Sequence, residues 1–285
     1  MELSEREPMM AKVYQCYIAE HVARKEQSVE RVIYGARHFC EFFGWDRDPS
    51  TLKHGDFAAL EDKRLADGVK GSSIRREFAY HSAAVNHAFK RDRLTRAPHV
   101  PMPDNTAAKR RPMSLEEYDL LMKKGDMNYR TRMFFRLAFW TGHRASAIEE
   151  LEWSRVFFDS RTIDFNVPGK RITSKRRVDG FPIPNELMPL LVAAKQKHDV
   201  FTPDDPFVIG RGCNTYFGCK KALKSVGISE KGLCRHTLRK TFVTERIKAG
   251  KQPDKVAALI GDNLQTMNRH YCVLVAEDLR ASVNL

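Results

Sequence analysis

His236 and Arg239 stand three residues apart in the run His236-Thr237-Leu238-Arg239-Lys240-Thr241, so on a helix both project from one face. A planar guanidinium fork suits the non-bridging oxygens of a phosphate, and an imidazole beside it can donate or relay a proton. Tyr271, in a segment of its own, could supply a nucleophilic oxygen. Between them lies Leu259-Ile260-Gly261-Asp262, which puts a carboxylate nine residues before the tyrosine. Taken singly each piece is weak, since a His-x-x-Arg pair is commonly no more than a solvated helix face.

A second arginine gives these pieces a setting. Arg144 sits in Thr141-Gly142-His143-Arg144-Ala145-Ser146-Ala147-Ile148, followed by Leu151 and Trp153. The whole set resembles the tyrosine recombinases, the family of phage integrases and Xer-type resolvases. Their first arginine lies in Thr-Gly-x-Arg-x-Ser-x-Ile-x-x-Leu-x-Trp, matched from Thr141 to Trp153. Their second half carries His-x-Leu-Arg-x-Thr, matched from His236 to Thr241, then Leu-x-Gly-His and a tyrosine nine residues past that histidine. Here Asp262 stands at the place of that histidine and Tyr271 keeps the spacing. Ala147 stands where the family usually has Glu, a change expected to touch packing around Arg144 more than chemistry. The resemblance runs from about residue 10 to about residue 275.

The composition agrees with a partner of opposite charge. Forty-nine Lys and Arg against thirty-six Asp and Glu leave a formal charge of +13 over 285 residues, a length that allows two domains with proper cores. Nucleic acid is the commonest polyanionic partner, whereas no long apolar run, signal peptide or basic amphipathic tail points to a membrane. The six cysteines, Cys16, Cys40, Cys213, Cys219, Cys234 and Cys272, form no C-x-x-C pair. They read as reduced thiols of a cytoplasmic protein rather than a disulfide framework or a zinc site, and no cofactor is expected.

The elements that must position these residues are mostly helical. Val29, Val32, Ile33, Ala36, Phe39 and Phe43 recur at three- and four-residue steps and predict one apolar stripe, closed by Gly44 and the Asp46 to Ser50 cluster. Further helices are predicted over about 55–66 and from Gly71, with Ser72 or Ser73 as cap, to about Arg91. Three prolines between Pro98 and Pro103 break this pattern. Ser114 and Glu117 form a capping box, so a helix opens near Leu115, and a strongly apolar one covers about Tyr129 to Trp140 and ends at Gly142. Thr162 to Val167 alternate as a strand, with a further strand or two over Arg171 to Pro184. Helices resume over about 185–197 and 214–226, and an amphipathic run follows His236. The fold class predicted is mainly α with a small antiparallel β-sheet (α+β). Residues 1–100 form a helical module, 101–112 a linker and 113–285 a second domain.

The resemblance gives these parts roles. Residues 1–100 would be a four-helix, SAM-like core-binding domain that closes over DNA, and 113–285 the catalytic domain. Tyr271 would attack a DNA phosphodiester to leave a 3′-phosphotyrosyl link and a free 5′-hydroxyl. Arg144 and Arg239 would hold the non-bridging oxygens and His236 would take or relay the phenolic proton. A hairpin lysine would protonate the leaving oxygen; Lys175 in Thr173-Ser174-Lys175-Arg176-Arg177 matches that place best, and Lys170 is the alternative. No metal is required, since cationic side chains serve instead. Asp262 departs from the pattern: an ionised carboxylate has no donor for phosphate, so it would orient Arg239 or His236, stay protonated, or slow cleavage. Arg75, Arg76, Lys109, Arg110, Arg111, Lys170 and Arg176 are the expected phosphate-backbone contacts. The function implied is site-specific recombination for a phage, plasmid or integrative element, by a tetramer on two double-stranded DNA sites. Its C-terminal segment (Leu274, Leu279, Val283, Leu285) would be exchanged between protomers or packed within its own domain. No arm-type DNA-binding domain is expected ahead of the helical module. A DNA-binding relative that has lost strand cleavage and acts as an architectural or regulatory factor is the alternative; a topoisomerase fits the two-module layout less well.

Overall fold

A computed structural model describes residues 9–23, 29–104, 110–167, 169, 179–212, 214–228 and 232–271. The chain divides into two compact units, Met1–Ala108 and Lys109–Leu285. Among the described residues no helix is long and apolar enough to cross a membrane.

The first unit packs α1 (Met10–Ala23), α2 (Val29–Phe43), α3 (His54–Ala66) and α4 (Gly71–Phe89) around Phe39, Phe57, Phe78 and Ile74. The stripe of α2 is rotated from the predicted one: Val32, Gly35, Ala36, Phe39 and Cys40 are buried and Ile33 is exposed. Gly35 faces α4, where a Cβ would make ordinary contact with Tyr80 at 3.5 Å and the backbone of Glu77 at 3.7 Å. The cap of α4 is Lys70 rather than Ser72 or Ser73; the Ser73 amide already bonds the Lys70 carbonyl at 2.8 Å, so both serines lie inside the first turn. Arg64 of α3 donates to both carboxylate oxygens of Glu77 on α4 (3.1 and 2.8 Å), a pair removed from solvent and fully matched in geometry. His81 stacks on Phe39 with 4.2 Å between centroids and shares a hydrogen bond of 2.7 Å with the Tyr14 hydroxyl; burial pushes its pKa down to about 3.

The second unit opens with α5 (Leu115–Lys124), capped as predicted: the Ser114 hydroxyl accepts from the Glu117 amide at 3.1 Å and Glu117 accepts from the Ser114 amide at 3.0 Å. α6 (Tyr129–Thr141) carries Phe134, Phe135, Leu137 and Ala138 into the core. It is followed by α7 (Ala145–Glu149) and a sheet of three two-residue strands, β1 (Val156–Phe157), β2 (Thr162–Ile163) and β3 (Phe181–Pro182), antiparallel in that order. Ile163 pairs with Val156 on one side and Phe181 on the other. The predicted strand over Thr162 to Val167 stops after two residues, because the Asp164 carboxylate accepts from the Asn166 amide at 2.8 Å and turns the backbone out of the ladder. The helices α8 (Met188–Phe201), α9 (Thr215–Ser225), α10 (Thr237–Lys248), α11 (Pro253–Ile260) and α12 (Leu264–His270) complete the unit. α8 starts three residues later than expected, with Pro189 in its first turn, and runs on to Phe201. The fold is mainly α with a small antiparallel sheet, as the sequence predicts.

Gly142 joins α6 to the segment carrying Arg144. It ends α6 in the left-handed region, φ +64°, and a Cβ there would stand 2.6 Å from the Phe242 ring of α10. Gly142→Ala therefore meets both a conformational and a steric penalty, and should lower unfolding free energy by about 3 kcal/mol in urea denaturation, against about 1 kcal/mol for Gly212→Ala, which bears the strain of a positive φ but meets no atom. Equal losses in the two variants would show that backbone strain alone, not the Phe242 contact, sets the cost.

Candidate active site

Five of the predicted residues meet in the second unit, each at the end of an element. Arg144 is the extended residue that caps α7, His236 the residue that opens α10, and Tyr271 the residue that closes α12. Asp262 follows Gly261, which ends α11 with φ +65°, and its amide returns to the Ala257 carbonyl at 3.1 Å. Arg239 lies in the first turn of α10 and is 1% exposed, the largest fully buried side chain. The predicted amphipathic run is instead buried almost all round: Thr237, Leu238, Arg239, Thr241, Phe242, Val243 and Thr244 are all enclosed. Its threonines make that possible by bonding backbone, as where the Thr241 hydroxyl accepts from the Met113 amide at 2.8 Å.

Asp262 lies between the two arginines. Arg144 Nη2 donates to its Oδ1 and Oδ2 at 2.9 and 3.1 Å, and Arg239 Nη2 donates to Oδ2. Of the orientations open to the sequence, this is the one that engages Arg239, with Arg144 added. The Arg239 fork is further occupied by the Gly142 carbonyl (Nη1, 2.9 Å) and the Ile260 carbonyl (Nη2, 2.7 Å), so the terminal nitrogens expected on phosphate are held by protein. Its Nε is buried and has no partner among the described residues.

Tyr271 is buried at 7% exposure, with its hydroxyl 3.1 Å from His236 Nε2 and its ring 4.9 Å from the Arg239 guanidinium. The Thr244 hydroxyl donates to its carbonyl at 3.3 Å, which ties the end of α12 to α10. Burial first, then the cations Arg239, Arg110 and Arg144, push the His236 pKa down to about 4, against a smaller opposing pull from Asp262. Arg239 is itself lowered, first by burial and then by Arg144. His236 is thus neutral near pH 7, with one ring nitrogen free to accept a proton.

Of the other expected residues, Lys175, Lys170, Arg176 and Lys109 lie outside the described residues. Arg76 is exposed on α4, while Arg75 donates to the Pro103 carbonyl. Arg111 forms a two-pronged pair with Glu117 at 2.7 and 2.6 Å; Arg110 offers its carbonyl to Lys240 Nζ at 2.8 Å and its charge to His236. Among the described residues no group of three or more His, Cys, Asp or Glu could hold a metal ion. A further cluster was not foreseen: Glu149, Thr215 and Arg235 converge beside the site. The position of Arg235, next to His236, was its one visible signal. Ala147 is buried in the core.

The sequence matches the phage integrase family over residues 112–277. The chain belongs to the phage integrase family. Among solved structures, this family member is similar to the Tn1549 transposon integrase in complex with transposon right end DNA, with a TM-score of 0.76 at 18% identity over 96% of this chain and 98% of that one. It is also similar to a lambda integrase dimer bound to a COC′ core site (TM-score 0.71, 16% identity, 94% of this chain and 78% of that one) and to XerA recombinase (TM-score 0.51, 16% identity, 94% and 96%). At these identities the likeness establishes a shared fold. No curated protein matches the sequence.

The lowered pKa of His236 in this integrase-family chain has a sign that solution work can check. Above pH 6.5 the ring is neutral folded or unfolded and contributes nothing; as pH falls from 6.5 towards 4 the unfolded chain takes a proton that the folded chain refuses. Stability should therefore fall over that window, by at most about 1.4 kcal/mol per pH unit for each such histidine, with His81 adding a like slope down to about 3. In thermal melts from pH 7 to 4, His236→Gln should flatten part of the slope; an undiminished slope would mean that His236 is already charged in the fold.

Proposed function

We propose that the chain is a site-specific DNA recombinase that cleaves and rejoins strands through a 3′-phosphotyrosyl intermediate on Tyr271. The observation that carries this is the phenolic oxygen 3.1 Å from a neutral imidazole, with its ring beside a buried guanidinium. A phenol of pKa about 10 needs a base to lose its proton near neutrality. With hydrogen on Nδ1, His236 Nε2 takes that proton as the phenolic oxygen attacks phosphorus. The departing 5′-oxygen then receives a proton from Lys175, with Lys170 as the alternative donor. The tyrosyl ester keeps the energy of the phosphodiester, so a 5′-hydroxyl of another strand reverses the step without a nucleotide or metal cofactor.

Negative charge grows on the non-bridging oxygens in the transition state, and both arginines answer it. Arg144 meets Asp262 through Nη2, which leaves its Nε and Nη1 for phosphate; the Nε of Arg239 is buried without a partner among the described residues, so Arg239 acts on the phosphate chiefly through its charge. In this reading Asp262 is the counter-ion that holds two like charges together before DNA arrives, and a residual repulsion on the phosphate afterwards. The alternative, a DNA-binding relative without cleavage, is favoured by this same carboxylate, since an anion already sits where an anion must bind.

Family membership and the net charge of +13 support DNA as substrate, and solved relatives include a lambda integrase tetramer bound to a Holliday junction. Residues 1–100 are proposed as the core-binding domain, 101–112 as the linker and 113–285 as the catalytic domain. Double-stranded recombination sites, a tetramer on DNA and exchange of the C-terminal segment belong to the same proposal. Arg76, Arg110, Lys109, Lys170 and Arg176 are carried forward as backbone contacts. Arg75 and Arg111 would first have to release Pro103 and Glu117.

A duplex drawn from DNA flanking the gene, nicked next to the scissile phosphate, traps the covalent step. Wild type should give an adduct on a denaturing gel, Tyr271→Phe none, and Asp262→His, which exchanges a repelling oxygen for a donor, a several-fold larger yield. Binding without adduct in wild type, with adduct in Asp262→His, would establish the alternative instead.

A further inference from the structure

Glu149 does not touch Tyr271 or either arginine of the site, yet one of its oxygens gathers three donors from two other segments. Oε1 accepts from the Thr215 amide at 2.9 Å, the Thr215 hydroxyl at 2.7 Å and Arg235 Nη1 at 2.6 Å. Arg235 also donates to the Thr215 hydroxyl at 3.3 Å and lies 5.6 Å from the Tyr216 ring centroid. The Glu149 and Arg235 side chains are 21% and 27% exposed, and Thr215 is buried, so the pair is charge-assisted and partly shielded from solvent.

The placement of the two ends is what gives this cluster a role. Glu149 is the last residue of α7, the five-residue helix that Arg144 caps. A helix so short cannot fix its own direction, because one turn costs more in ordering than its few hydrogen bonds return. Buried Ala147 and Ile148 hold one side of α7, and Glu149 pins another to the N-terminus of α9 and to Arg235. Arg235 in turn immediately precedes His236. The two lie inside a closed turn, with the Cys234 amide bonded to the Thr237 hydroxyl at 2.8 Å and the Thr237 amide bonded to the Cys234 carbonyl at 2.8 Å. A closed turn has little slack, so a shift of Arg235 is passed to His236 rather than absorbed.

We propose that Glu149 is a positioning residue, which through Arg235 fixes the segment bearing His236 against the helix capped by Arg144. Its part in strand cleavage rests on the recombinase reading above; the tie itself does not.

Glu149→Gln in the full chain is the test, since it keeps an oxygen for Thr215 and removes the charge that holds Arg235. Two readouts separate the tie from the chemistry. The first needs no DNA: the His236 imidazole, followed by NMR in both proteins, should titrate about one pH unit higher than in wild type, because a loosened ring regains water among Arg239, Arg110, Arg144, Asp262 and Tyr271. The second is single-turnover adduct formation on the nicked duplex, which should slow about tenfold while non-covalent DNA affinity stays within about twofold. Glu149→Gln combined with Arg235→Gln should be no slower than the slower single variant, as expected when both remove one interaction. An unchanged His236 titration overturns the proposal, as does an unchanged adduct rate in a variant that merely melts at lower temperature. A wild type that forms no adduct sinks the recombinase reading alone, and the NMR titration still decides whether Glu149 places His236.

Discussion

Two guanidinium groups in reach of a single carboxylate oxygen impose the constraint from which the second unit is built. Arg239 is buried and Arg144 partly so, and like charges at such range in a poorly solvated site repel. Asp262 offsets that repulsion, and the carbonyls of Gly142 and Ile260 supply the hydrogen bonds that solvent no longer can. These two carbonyls belong to the ends of α6 and α11, so the same guanidinium that carries charge into the site also staples two helix termini together. The buried cation is therefore structural whatever chemistry it serves, and the left-handed glycines at Gly142 and Gly261 are the means by which the chain presents those carbonyls.

Burial, reinforced by the surplus of positive charge, also governs the imidazole. His236 sits close enough to Arg239, Arg110 and Arg144 that protonating it would add a further cation to a crowded, half-dry space. Its neutrality follows first from its burial and then from these cationic neighbours. A crowded cluster of cations thus leaves an acceptor for a proton as a by-product, 3.1 Å from the Tyr271 hydroxyl.

Much of this arrangement was legible in the sequence, and the limits of legibility have physical causes. The types and spacing of Arg144, His236, Arg239, Asp262 and Tyr271 reported the site because side-chain identity is what chemistry requires. The capping box at Ser114 and the helix end at Gly142 were legible because they are local, each settled by residues within one turn. The partners of Arg239 were not, since backbone carbonyls carry no residue signature. Nor was the full burial of α10, whose threonines look polar by type but satisfy themselves on nearby backbone. The rotation of α2 that buries Gly35 and Cys40 and exposes Ile33 was not legible either, since a periodicity argument gives no weight to a glycine that faces a neighbouring helix.

Every residue of the site occupies an element end, and this placement has a mechanical consequence. A side chain in mid-helix inherits its direction from the helix axis, whereas Arg144, His236, Asp262 and Tyr271 take theirs from the turn or cap that precedes or follows. Such ends are held by few bonds: the Cys234 to Thr237 turn, the Thr244 contact to the Tyr271 carbonyl, the Glu149 tie and the return of the Asp262 amide to Ala257. Small displacements at these ties therefore move reacting groups without disturbing the aromatic core beneath them. Stability thus resides in Phe134, Phe242 and their neighbours, and the geometry of the cluster in a handful of polar bonds at helix ends, a division that suits the covalent step proposed above.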